Sequence, residues 1–242
     1  MSDLSNITAV ILAGGFGTRI KSLLGDLPKP MVPVNGKPFI EWIVRWLKTQ
    51  GIRDIIISTG YRAEVLEKHF STLPVPEMNV CCINEPKPMG TGGGLAFAAN
   101  KIEKEPDLLL VLNGDSLIFP DLNLLHSDLD DAEGVIVTRP VPDTARYGSV
   151  HINESNRITD FDEKRPGAGQ INGGVYLLRN SLLKSFLKSR PLSLEKDVFP
   201  EFIREGIKLN AHSVNSPFLD IGTPETLPLA EAFISENQAH FA

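Results

Sequence analysis

Two stretches of this chain leave no room for polar alternation. Ile55-Ile56-Ile57 runs uninterrupted inside Asp54 to Ser58, and Leu108 to Leu112 is apolar throughout. A strand with one wet face alternates apolar and polar residues; a strand that is apolar at every position needs cover on both faces. That requirement points to a parallel sheet between layers of helix. The segments between the runs agree. Thr8 to Ala13 is an apolar run that ends in glycines. Phe39 to Gln50 sets Phe39, Ile43, Trp46 and Leu47 at helical spacing, with Gly51 as the stop. Ala63 to Phe70 predicts a short helix, Val80 to Ile83 a strand, and Thr91 to Asn100 a helix after a Gly-rich loop.

The second half changes character. Val135 to Thr138, Gly148 to Ile152, Ile158 to Phe161 and Ile171 to Leu178 read as strands joined by polar turns. Helices are expected near Ser181 to Leu187 and Val198 to Glu205, then a last strand pair at Leu209 to Val214 and Phe218 to Ile221. Glu225 to Phe241 reads as helical. There is no internal repeat, low-complexity tract or evident linker. With 242 residues, 42% of them hydrophobic, the chain suits a single domain, residues 1–242, with a sizeable core.

Charge and composition exclude several classes. A net charge of -6 argues against a general nucleic-acid binder, which needs a basic face. Met1 to Thr8 lacks the basic start and apolar stretch of a signal peptide, and no apolar run has the length to span a bilayer, so a cytoplasmic protein with no membrane partner is expected. Cys81 and Cys82 are neighbours on an expected strand and point to opposite faces, so a disulfide between them is excluded and buried, reduced thiols are expected.

Gly14-Gly15-Phe16-Gly17-Thr18-Arg19 follows the first strand directly. Glycines let backbone N–H groups approach an anion, and Arg19 adds a fork for phosphate oxygens. No Gly-Lys-Ser/Thr closes the loop, so it is not a Walker A motif. Nor is it the dinucleotide fingerprint, since Ile20 stands where the third glycine would fall. A plain strand-to-helix turn is the alternative. Next comes Leu27-Pro28-Lys29-Pro30-Met31, in which two prolines restrain the backbone of one lysine. A rigidly mounted cation suits a phosphate, although a solvated lysine in a proline loop is also common.

Residues 9–34, AVILAGGFGTRIKSLLGDLPKPMVPV, resemble the signature of the sugar nucleotidyltransferases: a Gly-Gly-x-Gly-Thr-Arg loop and then Pro-Lys-Pro, with Ile20 where leucine is usual. The resemblance extends over about Ala9 to Glu225. The stretches STGYRAEV, EPKPMGTGGGL, LNGDS, ARYGSV and INGGVYLL look most like the D-glycero-alpha-D-manno-heptose 1-phosphate guanylyltransferases, with mannose-1-phosphate guanylyltransferases as near neighbours. The resemblance implies a Rossmann-like, GT-A-like three-layer α/β fold with a mixed, mostly parallel central sheet. It implies a nucleotide-binding half at about 1–120, a sugar-phosphate half at about 121–225 and a C-terminal helix at 226–242. It also implies GTP and a sugar 1-phosphate as substrates. On the nucleotide side it places Leu12, Ala13, Gly14, Gly15, Gly17 and Thr18, with Arg19 and Lys29 on the triphosphate, and then Glu85, Gly90, Thr91, Asn113, Gly114 and Asp115.

Two aspartates are candidates on their own chemistry. Asp115 follows the apolar strand at 108–112, where α/β sheets bind ligands. Asp220 sits in the apolar stretch before Ile221. Thr223, Pro224 and Glu225 already supply a cap, a first position and a first-turn acid for a following helix, so Asp220 is spare and needs a partner. Mg2+ takes a few carboxylates plus substrate phosphate oxygens, and Asp115 with Asp220 makes such a metal pair; the family's matching aspartates hold Mg2+ against the α-phosphate. On the sugar side, Tyr147-Gly148, Glu163-Lys164 and Asn172-Gly173-Gly174 recur at the family's spacing. Lys164 is expected on the sugar phosphate, Glu163 and Asn172 on sugar hydroxyls, and Gly148 and Gly173 at close approach. Glu163-Lys164 alone would also pass for a solvated strand end. Arg146 and Glu195-Lys196-Asp197 are further candidates, although Ser193-Leu194-Glu195 could simply begin a helix. The alternatives are a uridylyl- or thymidylyltransferase, a mannose-1-phosphate enzyme, and a non-catalytic relative. The last should have lost Arg19, Lys29, Asp115 or Asp220. The sequence leaves room for a homo-oligomer.

Overall fold

The structure is a computed structural model that describes residues 4–103, 106–162, 166–186 and 190–242. Strand β1 (Thr8–Ala13) leads through helix α1 (Lys21–Leu24) to a small ribbon, β2 (Pro33–Val34) and β3 (Lys37–Pro38). Then α2 (Phe39–Thr49), β4 (Asp54–Thr59), α3 (Ala63–Thr72), β5 (Asn79–Asn84), α4 (Gly90–Ala99) and β6 (Leu108–Asn113) follow. Strands β5, β4, β1 and β6 lie side by side in that order, all parallel.

Alternate residues of these strands feed two separate cores. Ala9, Ile11, Ile55, Ile57, Leu110 and Leu112 face one side, with Phe39, Ile43, Trp46 and Leu47 of α2. Val10, Ile56, Leu109 and Val111 face the other, with Leu95 and Ala98 of α4. Both faces are covered, which is why the runs show no alternation. Ile57 and Leu47 are fully buried; truncating either to alanine costs about 2–5 kcal/mol.

The second half continues the same sheet in the opposite sense. After β7 (Ser116–Ile118) and α5 (Leu122–Ser127) come β8 (Gly134–Val141), β9 (Ser149–Ile152), β10 (Ile158–Asp162) and the long β11 (Gly169–Arg179). Strand β11 pairs antiparallel with β6, β8 and β9, so the parallel core passes into an antiparallel extension and the sheet is mixed. Helices α6 (Asn180–Phe186) and α7 (Phe199–Arg204) precede β12 (Leu209–Ser213), β13 (Phe218–Asp220) and α8 (Ala230–Glu236).

Four expectations are corrected. The segments at 209–214 and 218–221 do not pair with each other. Strand β12 adds to β8 in parallel, while β13 pairs antiparallel with β7. The predicted helix at 225–241 is broken into a 3-10 turn at Leu227–Leu229, α8, and a second 3-10 turn at Gln238–His240; Pro228 lacks the N–H a longer helix needs. Thr223 does not cap that helix with its side chain. Its carbonyl accepts from Thr226 N and Leu227 N instead. Finally, Cys81 is exposed and Cys82 half-buried, because β5 is the sheet's edge. Both thiols are free, and burial pushes the Cys82 thiol up to about 12.

Candidate active site

The chain lays β4 and β5 on one side of β1, then crosses to place β6 on the other. Such a reversal opens a crevice beyond the carboxyl ends of the two diverging strands. A cavity of about 350 Å³ lies there, lined by Leu12 and Gly14 from the end of β1, Asn113 and Asp115 from the end of β6, and Gly15, Phe16, Glu85, Pro88, Met89, Gly90 and Thr91. Eight of the expected nucleotide residues are therefore on its wall: Leu12, Gly14, Gly15, Glu85, Gly90, Thr91, Asn113 and Asp115. Phe16, Pro88 and Met89 were not singled out, although all three lie inside motifs the sequence reading quoted.

Glu85 is not a surface residue. It is 9% exposed. Its Oε1 accepts from Ser58 Oγ at 2.9 Å and its Oε2 from Met89 N at 3.1 Å. Burial raises its carboxyl pKa, partly offset by those two bonds. Gly14 is required by this carboxylate: a Cβ at residue 14 would stand 2.4 Å from Glu85 Oε1.

Beside Asp115 on the cavity wall stand Lys29 and, next to Lys29, Asp220. Asp115 and Asp220 are far apart in sequence, and the β7–β13 pairing joins them. Ser116 lies opposite Asp220, and Ile221 N bonds Asp115 O at 2.9 Å. The Lys29 ammonium is 2.5 Å from Asp115 Oδ2 and 4.0 Å from Asp220 Oδ1. Burial raises the Asp220 carboxyl above its usual range, and the Asp115 charge adds to it, against the pull of Lys29 and the Gly222 N–H. The glycine loop touches the Pro-Lys-Pro segment. Gly17 has φ 59°, and a Cβ there would lie 3.1 Å from Lys29 Cβ. Arg19 is exposed in the 3-10 turn Thr18–Ile20. Ala13 is buried under the loop, and Gly114 N bonds Leu12 O at 2.9 Å, closing β6 over β1. Ala13, Gly17, Thr18, Arg19, Lys29 and Gly114 do not line the cavity itself.

On the other side, Gly148 is exposed and Asn172 half-buried on β11, with Gly173 buried against Val137. Glu163 and Lys164 lie outside the described residues. Arg146 donates to Thr223 Oγ1 at 2.9 Å and Thr226 Oγ1 at 3.1 Å, tying the Tyr147-Gly148 loop to the turn after Asp220. Ser193 caps a short π-helical turn, Leu194–Val198, by accepting from Lys196 N at 3.2 Å, so the reading of 193–195 as a helix start holds. Glu195 nevertheless faces Thr91 and Tyr176. Among the described residues no group of three or more His, Cys, Asp or Glu is placed to hold a metal ion, and no helix is long and apolar enough to cross a membrane.

A mixed α/β sheet with an anion-ready glycine loop and a cation-bridged carboxylate pair at its switch point defines a nucleotide-handling class of protein. The chain belongs to the nucleotidyl transferase family, whose profile matches residues 8–237. It is 36% identical to the D-glycero-alpha-D-manno-heptose 1-phosphate guanylyltransferase of Campylobacter jejuni, covering 90% of this chain and 95% of that one. A mannose-1-phosphate guanylyltransferase of Mycobacterium tuberculosis is 34% identical, but this chain spans only 62% of its length. Among solved structures, HddC from Yersinia pseudotuberculosis complexed with GMP-PN superposes with a TM-score of 0.83 at 34% identity, covering 93% of this chain and 98% of that one. The chain is thus a nucleotidyltransferase.

Proposed function

We propose that this enzyme joins GTP to a sugar 1-phosphate, D-glycero-alpha-D-manno-heptose 1-phosphate above all, and releases pyrophosphate. The observation that carries the base assignment is the buried Glu85 carboxylate on the cavity wall. Guanine presents two adjacent donors, N1–H and N2–H; a carboxylate has about four lone-pair positions, of which Ser58 and Met89 take two. Uracil and thymine would turn carbonyl oxygens towards it. The heptose assignment is supported by similarity. This chain is 36% and 35% identical to two heptose guanylyltransferase relatives over 90% of its length.

In this reading the two halves of one domain hold the two substrates. Arg19 and Lys29 grip the triphosphate, Lys164 the sugar phosphate, and Glu163, Asn172, Gly148 and Gly173 the sugar. An oxygen of the sugar phosphate attacks the α-phosphorus in line, the bond to the β-phosphate oxygen breaks, and pyrophosphate leaves with the electron pair. The nucleophile is already anionic, so no general base is needed. Anion repulsion is the barrier, and cationic side chains that hold both groups in line lower it.

Mg2+ fits the residues present. Asp115 and Asp220 face a common point that a cation already shares, since Lys29 reaches both. Asp115 and Asp220 would hold Mg2+ there, and it would supply neutralisation of the substrates' phosphate charge. The enzyme would work in the cytoplasm, where nucleoside triphosphates are made. Incubation with GTP, heptose 1-phosphate and Mg2+, followed by ion exchange and mass spectrometry, should yield GDP-heptose and pyrophosphate in equal amounts. GDP with inorganic phosphate would instead identify a hydrolase.

A further inference from the structure

Outside the phosphate grips, one carboxylate gathers three hydroxyls. Glu195 Oε1 accepts from Tyr176 OH at 3.0 Å; Oε2 accepts from Thr91 Oγ1 at 3.1 Å and Ser193 Oγ at 2.9 Å. An ionised carboxylate only accepts, so each of these hydroxyl hydrogens is committed to it. The consequences run in two directions. Tyr176 is fully buried, and burial holds its hydroxyl well above the usual tyrosine range, so it stays a neutral phenol. With its hydrogen given to Glu195, its oxygen accepts from Asn172 Nδ2 at 2.8 Å. Asn172 Oδ1 in turn accepts from Gly174 N at 2.8 Å. A flipped Asn172 amide would set oxygen against oxygen and N–H against N–H, so its orientation is fixed. On the other side Thr91 Oγ1, its hydrogen spent on Glu195, accepts from Leu194 N at 2.8 Å, which fixes this residue on the cavity wall.

We propose that Glu195 is a positioning residue that sets the donor–acceptor sense of both substrate sides, through Thr91 for the nucleotide and through Tyr176 and Asn172 for the sugar. This rests on the reading above, in which the Thr91 side takes the nucleotide and the Asn172 side the sugar phosphate. Asn172 then offers a sugar hydroxyl one remaining amide hydrogen and one remaining lone pair, at a place and in a sense that Glu195 dictates from two hydrogen bonds away. Glu195→Gln replaces one accepting oxygen by an NH2 group, so at least one of the three hydroxyls must turn round and reverse whatever it was holding.

The test is a double-mutant cycle read in KM. Tyr176→Phe keeps the ring and removes the hydroxyl that joins Glu195 to Asn172 and that also meets the Asn113 side chain. It should raise the KM for the sugar 1-phosphate about tenfold, as expected for one mispaired polar group, and the KM for GTP by less, since Asn113 on the cavity wall loses one partner. Glu195→Gln should raise both KM values about tenfold. In the double variant the sugar KM should be no worse than in Tyr176→Phe alone, while the GTP KM should be at least that of Glu195→Gln. Multiplying effects on the sugar KM, or unchanged KM values with only the melting temperature lowered, would reduce Glu195 to a structural part. If Glu195→Gln does not fold, Tyr176→Phe still decides, because a purely structural hydroxyl leaves the sugar KM unmoved. Absence of turnover in the unmutated enzyme with GTP and any sugar 1-phosphate would overturn the substrate reading itself, a separate result from loss of the Glu195 relay.

Discussion

The Lys29 ammonium lies 2.5 Å from the Asp115 carboxylate and also within 4.0 Å of Asp220, and it is only 11% exposed. One cation thus offsets two carboxylates brought together from distant parts of the chain. Removing it leaves like charges facing each other, one of them largely withdrawn from water, which is costly. Lys29→Ala should therefore lower the melting temperature at neutral pH. The deficit should shrink as pH falls and Asp220, whose carboxyl is raised by burial and by Asp115, protonates, and Mg2+ should restore part of it at pH 7. A melting curve with no such metal response would show that the pair does not attract a cation. The same variant should raise the KM for GTP.

Asp115→Asn and Asp220→Asn should each cut turnover by orders of magnitude at saturating Mg2+, since each removes a charge from the place where substrate charge is neutralised. Neither should unfold the protein. For Asp220→Asn the melting temperature at pH 7 should be unchanged or higher, because burial and Asp115 both disfavour its ionised form. Near-normal kcat in either variant rules that carboxylate out as a ligand.

Glu85 carries two linked expectations. Glu85→Gln should lose roughly 1–3 kcal/mol of the preference for GTP over UTP and dTTP, measured as the ratio of kcat/KM values. An unchanged ratio removes Glu85 from base recognition. The stability expectation follows from the sign of its shift. Its folded pKa is raised by burial, so the folded protein holds this proton more tightly than the unfolded chain does. Stability is then fullest below the ordinary carboxylate range and declines as pH rises through the raised folded value. Melting temperatures of the native protein, taken relative to Glu85→Gln, should fall across that window.

Lys164→Ala should raise the KM for the sugar 1-phosphate and spare that for GTP. A rise confined to the GTP KM would exchange the roles given to the two halves.

The parallel core was legible because its cause is local: Ile55 to Ile57 and Leu108 to Leu112 cannot be half-wet, and the sheet covers both faces. The loop at Gly14 to Arg19 and the Pro-Lys-Pro segment were legible as motifs, although only the fold shows Gly17 packing on Lys29. Asp220 stood out as a spare acid in an apolar stretch, but its place beside Asp115 depends on the β7–β13 pairing. A three-residue strand has too few positions to show a period, so Ser116–Ile118 was not read as a strand and Phe218–Ile221 was matched to its sequence neighbour. The depth of Glu85 was hidden for a similar reason. A lone glutamate before proline is usually surface; here Gly14 and Gly94 make the space that buries it, and each would collide with it if it carried a side chain. The Thr91–Glu195–Tyr176–Asn172 relay joins three elements, and no spacing in the sequence announces it.

The central claim, guanylyl transfer to a sugar 1-phosphate, is tested most directly by pyrophosphate release over GTP, ATP, UTP and dTTP, each with heptose, mannose and glucose 1-phosphates, with and without Mg2+. The account predicts Mg2+-dependent release that is fastest with GTP and D-glycero-alpha-D-manno-heptose 1-phosphate, and little with UTP or dTTP. Release that favours UTP or dTTP, or none with any pair, would contradict it.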